Sequence, residues 1–155
     1  MALRRRFLLV LAIALLVPAC GGGTTNPSGS AALINVTVDP NPVPPSQNIL
    51  TGVVSVGYKV LITESNGGGA EVLFVSSQIF DPATGAQVAL NYFDSSDLVV
   101  FVGSKTIEPL GTLTVPQTAS YILPSLGTAA NLTVNVQVQG DQGALINKSI
   151  LVKIE

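Results

Sequence analysis

The sequence predicts an all-β domain, an antiparallel two-sheet sandwich of about seven to nine strands. Three observations carry that expectation. Apolar residues recur with period two from Ala31 onward, and no stretch shows convincing 3.6-residue periodicity. Clusters of Gly, Pro, Asn and Asp interrupt the alternation about every 8–12 residues, the spacing of strand turns. Of 155 residues, 47% are apolar and 10% charged, which suits one packed core and is too little chain for two. The same composition narrows the chemistry. With no His, no Trp and Cys20 as the sole Cys, the chain cannot build a Ser-His-Asp hydrolase, a Cys-His protease, an imidazole or thiolate zinc site, or an internal disulfide.

In chain order the first element lies ahead of the domain. Arg4, Arg5 and Arg6 precede an unbroken apolar run, Phe7 to Val17, that ends at Pro18. A charged start followed by an apolar stretch of this length is the pattern of an export signal. A bilayer-spanning helix needs roughly 20 apolar residues, so the run is short for a permanent anchor. Val17-Pro18-Ala19-Cys20 follows, with an aliphatic residue three before the Cys and a small one just before it. This segment resembles the lipobox of bacterial lipoproteins. The resemblance implies removal of residues 1–19, a diacylglyceryl group on the Cys20 thiol and acylation of the new amine. A lone thiol in an exported chain otherwise has no partner. Residues 20–30 are rich in Gly, Ser and Thr and predict a flexible tether, its ten residues after Cys20 spanning about 17 Å r.m.s.. Gly21, where an Asp would retain such a protein at the inner membrane, implies the outer membrane in a didermal host. In other hosts the implied location is the outer face of the plasma membrane.

Processing would remove all three arginines. Four lysines against nine acids then leave a side-chain charge of −5. No basic patch survives, so nucleic acid is not an expected partner. Acidic phospholipid would be repelled, and membrane attachment would come from the lipid on Cys20.

The domain itself is expected over 31–155. Ile34, Val36 and Val38 alternate with Asn35 and Thr37 in a first strand. Asp39 to Pro45 contains four prolines, which lack the ladder donor, so it reads as an extended kink. Val53 to Thr63 is a long strand with Tyr58, Val60 and Ile62 on one face, ended by the loop Glu64 to Gly69. Val72 to Phe80 is a third, turned by Asp81-Pro82-Ala83-Thr84-Gly85. Ala86 to Leu90 and Leu98 to Val102 read as shorter strands, and Leu110 to Val115 and Ser120 to Leu123 as pieces of another. Leu132 to Gln139 alternates four aliphatic with four polar residues and returns from Ala144 to Glu155 through Gly140-Asp141-Gln142-Gly143, a terminal hairpin. The segments Val36 to Pro40, Tyr58 to Glu64, Asp81 to Gly85 and Val138 to Gly143, in this order, resemble immunoglobulin-like and fibronectin III-like modules. The resemblance implies Greek-key connections, without the Cys pair and core Trp of antibody domains. A jelly roll or small barrel is the alternative.

Several clusters invite a chemical reading. Glu64 and Glu71 flank the glycine loop and could form a carboxylate pair, although charges framing an exposed loop are commoner. Asp94-Ser95-Ser96-Asp97 and Asp141-Gln142-Gly143 offer oxygens to Ca²⁺ but lack EF-hand spacing, so solvated turns are the better reading. Asn35-Val36-Thr37, Asn131-Leu132-Thr133 and Asn147-Lys148-Ser149 match the glycosylation sequon, as Thr- and Asn-rich strands will by chance. Leu98-Val99-Val100-Phe101-Val102 is apolar on both faces and reads as a strand buried between layers, or else as an edge that docks a partner. Tyr92 and Phe93 just before it, with Leu98, Val100 and Phe101, form the candidate contact surface.

These features add up to a lipid-anchored, non-catalytic module of the cell envelope that binds protein or serves structurally. The alternative is a carbohydrate-binding module, which would need exposed, coplanar rings at Tyr58, Tyr92 or Tyr121. No cofactor, metal or small-molecule substrate is predicted.

Overall fold

The computed structural model describes residues 31–123 and 127–155. Cys20, the signal segment and the tether lie outside the described residues. The strands are β1 (Ile34–Asp39), β2 (Pro45–Gln47), β3 (Val54–Glu64), β4 (Ala70–Phe80) and β5 (Gln87–Asp94). A helix α1 (Ser95–Phe101) leads to β6 (Thr106–Ile107), β7 (Thr112–Tyr121), β8 (Ala130–Gly140) and β9 (Leu145–Ile154). All strand pairs are antiparallel and fall into two sheets, one around β3 and one in the order β5-β4-β8-β9 with β6 also on β4.

Both sheets contain a broken edge. β7 occupies one side of β3 from Val54 to Thr63, so β1 and β2, which pair with opposite halves of β3, share its other side. They are one edge strand interrupted by the proline segment. There Val43 steps across to the second sheet: its N–H donates to the Lys153 carbonyl (2.9 Å) and its own carbonyl accepts from Glu155 (3.1 Å). This closes one side of the sandwich. In the same way β8 covers one side of β4, and β5 and β6 share the other, separated by α1. Merging the halves leaves an immunoglobulin-like sandwich, β1/β2-β3-β7 facing β5/β6-β4-β8-β9.

The core follows from parity. Successive strand side chains point to opposite faces, and β3 and β7 alternate buried with outward residues along nearly their whole length. Val54, Val60, Ile62, Val115, Leu132, Val134 and Val138 are among those removed from water. The β-branched Val and Ile among them are stiff and suit a pleated surface. Tyr121 joins this core, with its hydroxyl donating to the Thr128 carbonyl at 2.7 Å, and burial pushes its pKa up to about 12. The closing hairpin turns as predicted: Gly143, at φ +80°, donates to the Gly140 carbonyl at 2.7 Å. Beside it, Gly69 takes φ +61°, a conformation strained for any residue with a Cβ, and a Cβ there would push aside the Asp141 carboxylate.

Two sequence expectations are corrected. Leu98 to Val102 is not a strand; Leu98 to Phe101 lie in α1. The reason is capping. Asp94 accepts from the N–H groups of Ser96 and Asp97, Asp97 accepts from the Asp94 N–H, and Gly103 ends the helix at φ +89°. Seven residues are under two turns, too few to register as a helical period. Replacing Asp94 by alanine is expected to cost about 1 kcal/mol, measured by urea denaturation, and to reduce protection of the α1 amides. The second correction concerns β7, which runs without a break through Pro116. The Thr118 carbonyl accepts from Asn91 Nδ2 at 2.8 Å, so it faces away from β3. Pro116, two residues earlier, presents its backbone to the same open edge. Its missing donor therefore costs the ladder nothing.

Candidate functional site

The side of the sandwich opposite Val43 stays open. It is formed by the outer edges of β5 and β7, bridged by the Asn91 to Thr118 hydrogen bond. Asn91 and Phe93 from β5, Phe101 from α1, and Pro116, Gln117 and Thr118 from β7 line a groove of about 430 Å³ along this seam. The Phe93 and Phe101 rings meet edge to face, with centroids 5.9 Å apart and planes at 79°. Deeper, the Tyr58 hydroxyl donates to Gln117 Oε1 at 3.0 Å. Burial pushes the Tyr58 phenol above its ordinary pKa, against the lowering pull of Ser77 and Asn91. The lining is aromatic and amide in character, and none of its six residues is ionisable.

The expected contact surface divides three ways. Val100 and Phe101 are 75% and 67% exposed on α1, with Val99 beside them also exposed. Tyr92 is exposed on the outer face of β5, stacked on Phe74 at 5.7 Å. Phe93 is half-buried and turns inward to the groove. Leu98 is a correction: it is fully buried as the one residue that seats α1 on the core, so it contributes no contact surface. The sugar platform is also corrected in part, because Tyr58 and Tyr121 are buried and only Tyr92 presents a ring. Gln117 was not anticipated. Its trace in the sequence is a polar residue in the inward parity of Leu113, Val115, Ala119 and Tyr121, next to a proline.

Glu64 and Glu71 do not form a pair. Glu64 is buried at 1% exposure, and its carboxylate accepts four backbone N–H groups: Leu33 (3.1 Å), Asn66 (2.7 Å), Gly67 (2.8 Å) and Leu110 (3.0 Å). The Leu110 N–H foremost, with those of Asn66, Leu33 and Gly67, lowers its pKa to about 2 against the opposing effect of burial. A carboxylate so saturated has no proton to give and no free lone pair to take one. It ties three segments together, including Leu110 held at φ +58°. Glu71 instead meets Lys105 Nζ at 2.7 Å on the surface. Asp94 and Asp97 are engaged in the helix cap, so the expectation of a solvated turn there is also corrected.

No family profile matches the chain, and no curated protein is similar to it. Solved structures do share the fold. An X-ray structure of a Northeast Structural Genomics Consortium target is 15% identical at a TM-score of 0.57, over 77% of this chain and 84% of that one. A protein assigned as ApaA from Bordetella pertussis is 14% identical at a TM-score of 0.55, over 81% of this chain and 97% of that one. At these identities the likeness is one of fold.

Proposed function

We propose that this chain is a lipid-anchored, non-catalytic binding module of the cell envelope. In this reading residues 1–19 are a signal segment, Cys20 carries the lipid, residues 20–30 are the tether and 31–155 the module. The α1 surface beside the open seam meets a protein partner. The observation that carries the binding half is the exposure of Val99, Val100 and Phe101 together on one short helix. Contiguous apolar exposure of this kind marks contact sites. The anchoring half rests on the lipobox-like Val17-Pro18-Ala19-Cys20. Two or three acyl chains, at about 0.8 kcal/mol per buried CH₂, hold a domain on a bilayer where one chain alone does not.

Intact-mass measurement of membrane-extracted protein is expected to show a chain that begins at an acylated Cys20. An unmodified chain starting at Met1 sinks the anchoring half. The double variant V99S/V100S, changing two exposed side chains, is expected to fold normally and to lower crosslinking to envelope proteins about tenfold. Undiminished crosslinking sinks the binding half.

A carbohydrate-binding role is the second reading. It is favoured by the exposed Tyr92 ring on the same outer sheet face as the uncharged side chains of Asn135, Gln137 and Asn147, where Gln137 Nε2 donates to Asn147 Oδ1 at 2.9 Å.

A further inference from the structure

The seam groove contains a hydrogen-bond donor with nothing to bond. Gln117 is 3% exposed, and its Oε1 is committed to the Tyr58 hydroxyl at 3.0 Å. Its Nε2 has no partner among the described residues. Buried amide donors are ordinarily satisfied, and an orphan is destabilising until an acceptor arrives. Gln117 lines the groove and its Nε2 is closed off from water, so a molecule seated there brings that acceptor by drawing the amide toward the opening.

The remaining lining defines the molecule further. Phe93, Phe101 and Pro116 offer an apolar wall, and the absence of an ionisable residue disfavours a charged occupant, whose desolvation nothing would offset. Asn91, also at the groove, has its Nδ2 committed to the Thr118 carbonyl. Strand addition along β7 is blocked, because Pro116 has no N–H and the Thr118 carbonyl is taken. A sugar ring fits poorly. Its hydroxyls would find few partners, and the two phenyl rings meet edge to face rather than as an open platform. We propose that the groove between β5, β7 and α1 binds an uncharged peptide segment, whose backbone carbonyl accepts from Gln117 Nε2 and whose apolar side chain packs on Phe93, Phe101 and Pro116. This deepens the reading of the open seam as a protein contact and is independent of the lipid on Cys20.

The test is a titration of the ¹⁵N-labelled full chain in detergent micelles, following the side-chain amide signals of Gln117 and Asn91. The probes are N-acetyl-leucine N-methylamide, its aspartate counterpart and N-acetylglucosamine. The leucine probe is expected to shift both signals saturably with a Kd of about 1 mM, as suits so small a ligand. The aspartate probe and the sugar are expected to leave them in place. F101A, which alters an exposed side chain, is expected to weaken binding about tenfold or more. Q117E keeps the acceptor for Tyr58 but removes the donor, and is expected to abolish the shift of the remaining Asn91 signal. A silent Gln117 signal up to the solubility limit of the leucine probe overturns the proposal. So does an equal response to N-acetylglucosamine, which would assign the groove to an acetamido sugar. A silent titration beside crosslinking that still depends on Val99 and Val100 removes this proposal and leaves the contact surface standing.

Discussion

The E64A variant is expected to melt on the order of 10 °C below the parent chain. The carboxylate it removes accepts the N–H groups of Leu33, Asn66, Gly67 and Leu110. Alanine leaves those donors facing a void. Leu110 also loses the bond that holds its left-handed backbone, a conformation strained for a side chain with a Cβ. The pH dependence has a definite sign. Glu64 titrates near 4.5 when unperturbed and at about 2 in the folded chain. A depressed folded pKa stabilises above the unfolded value and ceases to do so as pH falls through the folded one. Melting temperatures of the parent chain should therefore fall between pH 4.5 and pH 2, and E64Q should lose Glu64's share of that slope. An E64A chain that melts with the parent at pH 7 would show that the clamp contributes nothing.

Replacing Cys20 by serine is expected to abolish membrane retention. The change exchanges one sulfur for one oxygen, yet it removes the only thiol available for acylation. Without acyl chains, a chain cut before residue 20 would carry a side-chain charge of −5 and have no electrostatic attraction to an anionic leaflet. Flotation of vesicles in a density gradient checks this. The parent chain should rise with the lipid, and C20S should stay with the soluble fraction. Flotation of C20S to the same extent would overturn the anchor.

The parts of the fold legible in advance share one property: they are local. β8 and β9 could be read residue by residue, because Val134, Val136 and Val138 alternate with Asn135 and Gln137 within one strand. The Asp81 turn was legible for the same reason. Asp81 Oδ1 accepts from the Ala83 N–H two residues on, and Gly85 takes a positive φ. α1 carried its own signals too, in Asp94, Asp97 and Gly103. The β propensity of Val99, Val100 and Phe101 masked them, although the Asp94 cap forms the helix and Leu98 seats it on the core.

What could not be read depends on which edge a residue faces. Pro116 looks like a strand breaker until β3 is known to lie on the other side of β7. Glu64 looks like an exposed loop charge until Leu33 and Leu110, 31 and 46 residues away, close over it. Gln117 looks like a fault in an apolar parity until β5 and α1 stand opposite and turn the fault into the floor of a groove. By itself the sequence determined the period of the strands, hence a two-layer sheet protein, and a chemistry without imidazole. Only the tertiary structure decided which sheet edges stay open and which buried amide lacks an acceptor. Side-chain parity is set between neighbours along the chain, whereas edge pairing and hydrogen-bond satisfaction are set between segments the chain brings together only on folding.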